Sequence, residues 1–215
     1  NAAATNFNPF NTDINTVRGQ ETDYCTWNPL VKAYSGAFTL KNGNTEVHNV
    51  LNTYGVVMGT IPMSSGKWFW EVTVNGTPSN DYDYIGIVAD DSGLAYPTLT
   101  STMPHQLWYR AGGTKLNGST SSSYGATYGN GDVIGVALDL DSRTLTFYKN
   151  GVSQGVAFTG LASGKNWVSA VGDYSNAITT TSWNANWGQK PFKFPPPDGF
   201  QPLNTANTRP ETVIS

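Results

Sequence analysis

Apolar and polar residues alternate along residues 66–76, and this segment ends at an Asn-Gly pair. A strand that turns one face toward a core has this period of two, whereas a helix repeats its apolar positions about every 3.6 residues. The residues that share the apolar face are Trp68, Trp70, Val72 and Val74. The pattern therefore predicts a half-buried β-strand that ends in a tight turn.

The second half of the chain carries further strand patterns of other lengths. Residues 131–140 are nearly all apolar, which is typical of a central strand that is covered on both faces. Residues 144–149 run back after a short polar turn, and Asn150-Gly151 marks the next hairpin. Short strands separated by turn signals about every 8–12 residues predict an all-β fold, either a sandwich or a barrel.

The composition agrees with a strand-rich fold and excludes several classes of protein. The 215 residues include 23 glycines and 12 prolines, which leave little room for a long helix. Only 13% of the residues are charged and the net charge is −3, so we expect no nucleic-acid partner. No apolar run reaches the length of about 18 residues that a membrane span needs, so we expect no membrane insertion. Cys25 is the only cysteine, which excludes an internal disulfide.

We expect one folded domain between two irregular arms. Residues 1–24 are polar and rich in asparagine, and they are predicted to form an extended N-terminal arm that either docks onto a neighbouring domain or is a flexible lead-in. Residues 25–200 carry the strand patterns, and residues 201–215 are predicted to form a C-terminal linker. The sequence is interpreted as a fragment of a longer chain. The apolar residues that could anchor the arm are Phe7, Phe10 and Ile14.

Five segments follow one another in an order that resembles the SPRY domain, which is the core of B30.2 domains. These segments are residues 66–72, 84–88, 107–110, 131–139 and 145–158. Together they cover most of the predicted domain. The resemblance implies a bent sandwich of two antiparallel β-sheets, similar to the concanavalin fold. It also implies a domain that has no catalytic centre and no cofactor and that binds its partners through loops at one edge.

The segments before and after these five matches narrow the resemblance. Residues 25–30, 186–192, 195–200 and 203–207 are similar to the flanks of SPRY modules in bacteriophage tail-fibre and other virion proteins. This similarity implies a location in the virion after synthesis in the host cytoplasm, neighbouring virion proteins as partners, and a homo-oligomer of the full-length protein. Residues 173–179 depart from animal members of the family, which have a short aromatic run there, so the peptide-binding mode of those members is not carried over.

Aspartates that lie close together in the sequence are interpreted as structural. Asp139 and Asp141 suit a hairpin turn, in which aspartate side chains accept hydrogen bonds from nearby backbone N–H groups. Asp81, Asp83 and the pair at 90–91 lie in or beside connections, but they lack the Asp-x-Asp-x-Asp-Gly order of a calcium loop. We therefore predict solvated loop carboxylates and no metal site.

The groups that catalysis requires are sparse. His48 and His105 are the only histidines, and neither lies near a Gly-x-Ser-x-Gly turn. A glycosidase needs two carboxyl groups about 5–10 Å apart across the scissile bond, and Glu71 has no acidic partner two residues away on its strand. Carboxyl partners on different strands stay open, which keeps a glycan hydrolase as a distant alternative. The prediction is that the protein is not an enzyme and has no catalytic residue.

Aromatic residues in polar loops, together with their polar neighbours, are the candidate ligand-binding residues. A tyrosine offers a large contact area with few rotatable bonds, and its ring can also stack on the face of a sugar. The alternative for each ring is that it only pins its own loop. The candidates are Tyr82, Tyr96, His105, Tyr124 and Tyr174.

These expectations lead to two hypotheses of function. The first is a non-catalytic binding module of a phage tail or head fibre that recognises a glycan or a protein on the host cell surface. The second is a structural or decoration module that contacts only neighbouring virion proteins, with the apolar residues of the N-terminal arm as its anchor. The sequence leaves open which ligand is bound and which loops bind it.

Overall fold

Two β-sheets form a sandwich in the structure of the protein, which is a computed structural model. The residues that it describes are 23–32, 38–49, 55–79, 82–89, 105–173 and 181–208. These residues form strands, turns and irregular connections, and among them no helix is long and apolar enough to cross a membrane. The predicted fold class, an all-β sandwich of two antiparallel sheets, is confirmed.

The first sheet has seven strands, and each neighbouring pair is antiparallel. In their order across the sheet the strands are β1 (Trp27–Lys32), β4 (Gly55–Gly59), β13 (Trp167–Asp173), β6 (Asp83–Ala89), β7 (Gln106–Arg110), β8 (Thr114–Asn117) and β9 (Thr120–Ser123). The central strands β13 and β6 are buried at every residue. This sheet therefore has a covered centre, and its edges are β1 and β9.

The second sheet has eight strands. Seven of them, in order, are β12 (Val152–Thr159), β11 (Thr144–Lys149), β10 (Val133–Asp139), β5 (Lys67–Asn75), β14 (Ser182–Asn186), β3 (Glu46–Asn49) and β2 (Phe38–Lys41). The eighth, β15 (Gln201–Pro202), lies parallel to the start of β5. The two hairpins predicted around residues 144–149 are present, since β10 pairs with β11 and β11 with β12. β2 and β3 form a further hairpin.

The core lies between the two sheets and contains the predicted apolar face of β5. The four residues of that face are at most 4% exposed: Trp68, Trp70, Val72 and Val74. The strand β10, which the sequence predicts to be covered on both faces, is buried at every residue. Period-two alternation and a continuous apolar run therefore identified the two strands at the centre of this sheet.

A C-terminal segment covers part of the outer face of the eight-stranded sheet. The carboxylate of Glu71, which is buried on that face, accepts hydrogen bonds from the backbone N–H groups of Lys193 and Phe194 at 2.9 and 2.8 Å. Beside it the rings of Phe69 and Phe192 pack edge to face, with centroids 5.1 Å apart. The outer face of β5 is therefore buried as well, and Glu71 has a structural role in this segment.

The two ends of the described chain meet beside the sheets. Tyr24 forms an antiparallel bridge with Asn204, and the N–H of Thr205 donates to the carbonyl oxygen of Asp23 at 2.9 Å. The sequence predicts a linker from residue 201 onward, but the structure differs there because Leu203 is completely buried in the core. The closing segment of the domain thus continues past the predicted boundary.

Candidate recognition surfaces at the two ends of the sandwich

Connections gather at both ends of the sandwich, and the two ends are built differently. Among the described residues, the tyrosine end consists of residues 76–79 and Tyr82 between β5 and β6, the connection 124–132 between β9 and β10, and the adjoining ends of β6 and β13. The cavity end lies at the opposite ends of the same strands. It consists of His105, the turn between β8 and β9, and the connection 160–166 between β12 and β13.

Tyr82 lies on a short turn at the tyrosine end, and 42% of its surface is exposed. The N–H groups of Tyr82 and Asp83 both donate to the carbonyl oxygen of Ser79, at 3.3 and 3.2 Å. The N–H of Ser79 in turn donates to the Asp83 carboxyl group at 2.5 Å. These three hydrogen bonds link Ser79 to Tyr82 and Asp83, so the backbone at Tyr82 is held in place and presents an exposed aromatic ring.

Two carboxyl groups are buried next to this turn. Asp83 and Asp173 are paired in register on neighbouring strands, and both are 0% exposed. Thr181 adds a hydroxyl group 3.5 Å from the Asp83 carboxyl. Burial, and then the neighbouring charge of Asp173, raise the pKa of Asp83 to about 8. Asp83 is therefore largely protonated at neutral pH.

The burial of Asp83 corrects a prediction from the sequence. We predict a solvated loop carboxylate at this position, and that is wrong, because Asp83 is the first residue of β6 and faces another strand. Asp81 and the pair at 90–91 lie outside the described residues. The other structural interpretation is confirmed, since the Asp139 carboxylate accepts from the N–H groups of Asp141 and Ser142 at 3.0 and 2.8 Å in the hairpin turn.

Aromatic rings fill the space between the sheets at the tyrosine end. Tyr109 packs against Tyr124, Tyr128 and Phe147, with ring centroids 5.1–5.3 Å apart. The hydroxyl of Tyr128 lies 3.2 and 3.1 Å from the carbonyl oxygens of Asp83 and Tyr109, which share its single hydrogen. Buried tyrosine hydroxyls need such partners, and here they tie the connection 124–132 to the first sheet.

Tyr124, a predicted ligand residue, belongs to this aromatic cluster and is partly buried. Its hydroxyl donates to the carbonyl oxygen of Gly155 at 2.5 Å and accepts from the N–H of Phe147 at 3.1 Å. Burial raises the pKa of Tyr124 to about 12, so the hydroxyl stays protonated. These contacts match the alternative in which a tyrosine pins its own loop, and a ligand-binding role for Tyr124 stays a prediction.

The cavity end contains a cavity of about 200 Å³ between the edges of the two sheets. Its lining includes His105, Leu107, Asn117, Phe158, Leu161 and Trp167. The His105 ring stands edge to face against the Trp167 indole, with centroids 6.2 Å apart. His105 has a φ of 63°, a left-handed conformation that is uncommon outside glycine, and its carbonyl oxygen accepts from the N–H of Ala89 at 3.1 Å.

The structure therefore separates the predicted ligand residues instead of bringing them together. Tyr82 and Tyr124 lie at the tyrosine end, whereas His105 lies at the cavity end. Tyr96 and Tyr174 lie outside the described residues. Among the described residues no group of three or more His, Cys, Asp or Glu side chains could hold a metal ion.

Comparison with known families decides which kind of domain this is. The family model described as SPRY domain matches residues 67–181, which is more than half of the chain. The chain belongs to the SPRY family. SPRY domains mediate protein–protein interactions and are in general non-catalytic binding modules.

Two SPRY-containing relatives are eukaryotic proteins. The "E3 ubiquitin-protein ligase RKP" of Arabidopsis thaliana is 43% identical over 89 residues, which cover 40% of this chain and 7% of that protein. "Ran-binding protein 9" of Xenopus tropicalis is 31% identical over 179 residues, which cover 79% of this chain and 31% of that protein. The matched region thus spans about a third or less of these relatives. Neither is a virion protein, so the virion setting stays a prediction.

Solved structures, one of them a SPRY domain, share the fold. The SPRY domain of human HERC1 matches with a TM-score of 0.61 and 19% identity, and the match covers 74% of this chain and 96% of that one. Stonustoxin matches with a TM-score of 0.56 and 18% identity over 76% of this chain and 27% of that one. At these identities the likeness concerns the arrangement of strands alone.

Sequence reasoning missed two features of this SPRY domain, namely the Asp83–Asp173 pair and the cavity. Both arise from contacts between residues that are far apart in the sequence. One local signal was available for the acids, because each adjoins a run of apolar residues that forms a fully buried strand. An aspartate directly at the end of such a run has a high chance of sharing the burial of the strand.

Proposed function

We propose that this SPRY domain binds a protein partner at the tyrosine end, with Tyr82 as the central anchor, and that it does so without catalysis. The observation that carries the proposal is the exposed ring of Tyr82 on a turn fixed by Ser79 and Asp83. Tyrosine is enriched among the residues that dominate binding energies at protein interfaces. A preorganised turn also lowers the entropy lost on association.

We place this module in a phage tail or head fibre, where the protein partner lies on the host cell surface and a host glycan is a second class of ligand. The support for this setting is the similarity to virion proteins of residues 25–30, 186–192, 195–200 and 203–207, which lie before and after the five matching segments. The weakly charged surface, with 13% charged residues in the chain, favours recognition by shape and aromatic contact over electrostatic steering. The alternative of a purely structural module depends on the arm at residues 1–24, most of which lies outside the described residues.

The test compares Tyr82→Ala with Leu30→Ala, because Leu30 is also a large exposed apolar residue, 91% exposed, but lies on the edge strand β1. The immobilised domain is incubated with host envelope, either untreated, protease-treated or periodate-treated. We expect protease-sensitive capture that Leu30→Ala retains and that Tyr82→Ala weakens by about 30-fold, as for an anchor worth about 2 kcal/mol.

Either of two results would contradict the proposal. Equal capture by the Tyr82→Ala and wild-type domains would remove the tyrosine end as the binding surface. Absence of capture by a folded wild-type domain would remove host recognition itself, and the structural-module hypothesis would then take its place.

A further inference from the structure

The cavity end has the dimensions of a site for one small ring. Its volume of about 200 Å³ is below the range of about 300–1,000 Å³ that is common for drug-sized ligands. It is nevertheless large enough for several water molecules, since each occupies about 30 Å³ in the liquid. A ligand that fills it is therefore about the size of a single monosaccharide.

The walls of the cavity are held by main-chain hydrogen bonds. Trp167 and Met63 exchange two such bonds, at 2.7 and 2.8 Å. The N–H of Leu161 donates to the carbonyl oxygen of Arg143, in the turn between β10 and β11, at 3.2 Å. The carbonyl oxygen of His105 accepts from the N–H of Ala89, as described above. Because these positions are fixed before any ligand arrives, binding there requires little reorganisation.

The chemistry of the lining selects a neutral ligand that has both apolar and polar faces. Phe158 and Trp167 supply aromatic surface, while Asn117 and Thr159 supply an amide and a hydroxyl that can both donate and accept hydrogen bonds. His105 adds an imidazole. No Lys, Arg, Asp or Glu is among the described residues that line the cavity. The Lys115 ammonium lies 5.5 Å from the centroid of the Phe158 ring, but it donates to the carbonyl oxygen of Ala157 at 2.6 Å. The described lining therefore favours a neutral ligand over a phosphate, a carboxylate or a cation.

The surroundings of the cavity do not suit a macromolecular partner as well as they suit a small one. Among the described residues the large apolar side chains that are well exposed are Leu30, Tyr82, Val152 and Val156. None of them lines the cavity. A protein partner needs buried anchors over an interface of about 800 Å² on each side, whereas a single sugar ring needs only a pocket of this size.

We propose that the cavity lined by His105, Asn117, Phe158 and Trp167 binds a single neutral sugar ring. The ring lies against the aromatic wall, and the side chains of Asn117 and Thr159 hydrogen-bond its hydroxyl groups. The inference rests on the glycan recognition that is part of the proposed function, and it assigns that recognition to the cavity end. Protein recognition by Tyr82 at the opposite end is independent of it.

The test is a titration of the folded domain with methyl glycosides of glucose, galactose, mannose and N-acetylglucosamine, followed by saturation-transfer NMR and tryptophan fluorescence. At least one of them should bind with a Kd of about 1–10 mM, because a single ring buries little surface. Glucose 6-phosphate should bind at least tenfold more weakly than methyl glucoside. Tyr82→Ala should bind the sugars like the wild type, which separates this site from the protein-binding surface.

Two variants test the location of the site, and a third variant serves as a matched control. Asn117→Ala should weaken binding by about three- to tenfold, which is the range for one neutral hydrogen bond. Ala162→Phe, which fills the cavity, should abolish it. Ser119→Ala, an exposed change in the same turn as Asn117 but outside the lining, should bind like the wild type.

Three results would overturn the inference. They are absence of saturation transfer from all four glycosides, unchanged binding by both Asn117→Ala and Ala162→Phe, and stronger binding of the phosphorylated sugar. None of these results bears on the capture of a protein through Tyr82, so failure of the sugar site and failure of the protein site are distinguishable.

Discussion

The tyrosine end and the cavity end are formed by the same two sheets, but side chains fill the space between the sheets to a different extent at each end. At the tyrosine end the aromatic rings around Tyr109 fill the gap, and the connection that carries Tyr82 is fixed by a buried acid. At the cavity end the strands β7 and β12 leave about 200 Å³ between Phe158 and Trp167. A filled end can offer only its outer surface to a partner, whereas an incompletely filled end can also admit a ligand.

The largest change in the free energy of unfolding is expected when an aromatic ring is removed from the tyrosine end. Tyr109→Ala should lower the free energy of unfolding by about 3–5 kcal/mol, because it removes a fully buried ring that contacts three other aromatic residues. Phe158→Ala, at the partly buried wall of the existing cavity, should cost less than half as much. Urea unfolding followed by tryptophan fluorescence measures both, and equal losses would show that the two ends are packed alike.

The pH dependence of stability should come from the tyrosine end. The folded state holds the Asp83 proton up to a pKa of about 8, compared with an ordinary value of 3.8. Between these values the folded protein binds more protons than the unfolded chain, so the free energy of unfolding should fall by about 2–4 kcal/mol as pH rises from 4 to 8. The pKa values of Asp132 and Asp139 are lowered by hydrogen bonds and lysine partners, so their effects are confined to more acidic pH.

Asp83→Asn is the control for this pH dependence, because the amide oxygen can still accept from the N–H of Ser79. Stability should then be nearly constant between pH 4 and pH 8, measured as urea midpoints across that range. If Asp83→Asn retains the wild-type slope, the pair with Asp173 is not its source.

The smallest expected changes in the free energy of unfolding have opposite signs at the cavity end and the tyrosine end. Ala162→Leu adds apolar atoms to the cavity lining and should raise the free energy of unfolding by about 0.5–1 kcal/mol. Gly113→Ala, at the tyrosine end, should lower it by about 1–3 kcal/mol. Gly113 has a φ of 86°, and an added Cβ would lie 2.5 Å from the carbonyl oxygen of Gly125. Thermal unfolding of both variants checks this, and two losses of equal size would mean that the cavity has no usable space.

Most of the fold could be predicted because its signals are local. The alternation along β5 and the hairpin at Asn150-Gly151 are set by neighbouring residues, and the structure confirms both. The sites could not be predicted in the same way. Asp83 is buried because Asp173 lies opposite it, 90 positions later, and the cavity exists because β7 and β12 come together from separate sheets. Tyr124 looked like an exposed loop residue, but its hydroxyl bonds β11 and β12.

The meeting of Asp23 with Thr205 has a mechanical consequence. A chain that enters the sandwich at one of these residues leaves it at the other, at about the spacing of two neighbouring strands. Such a domain can be spliced into a surface loop of another protein as a side branch without spreading the loop apart. Tension along the chain of that other protein would act first on the bridge between Tyr24 and Asn204. This bridge belongs neither to the tyrosine end nor to the cavity end.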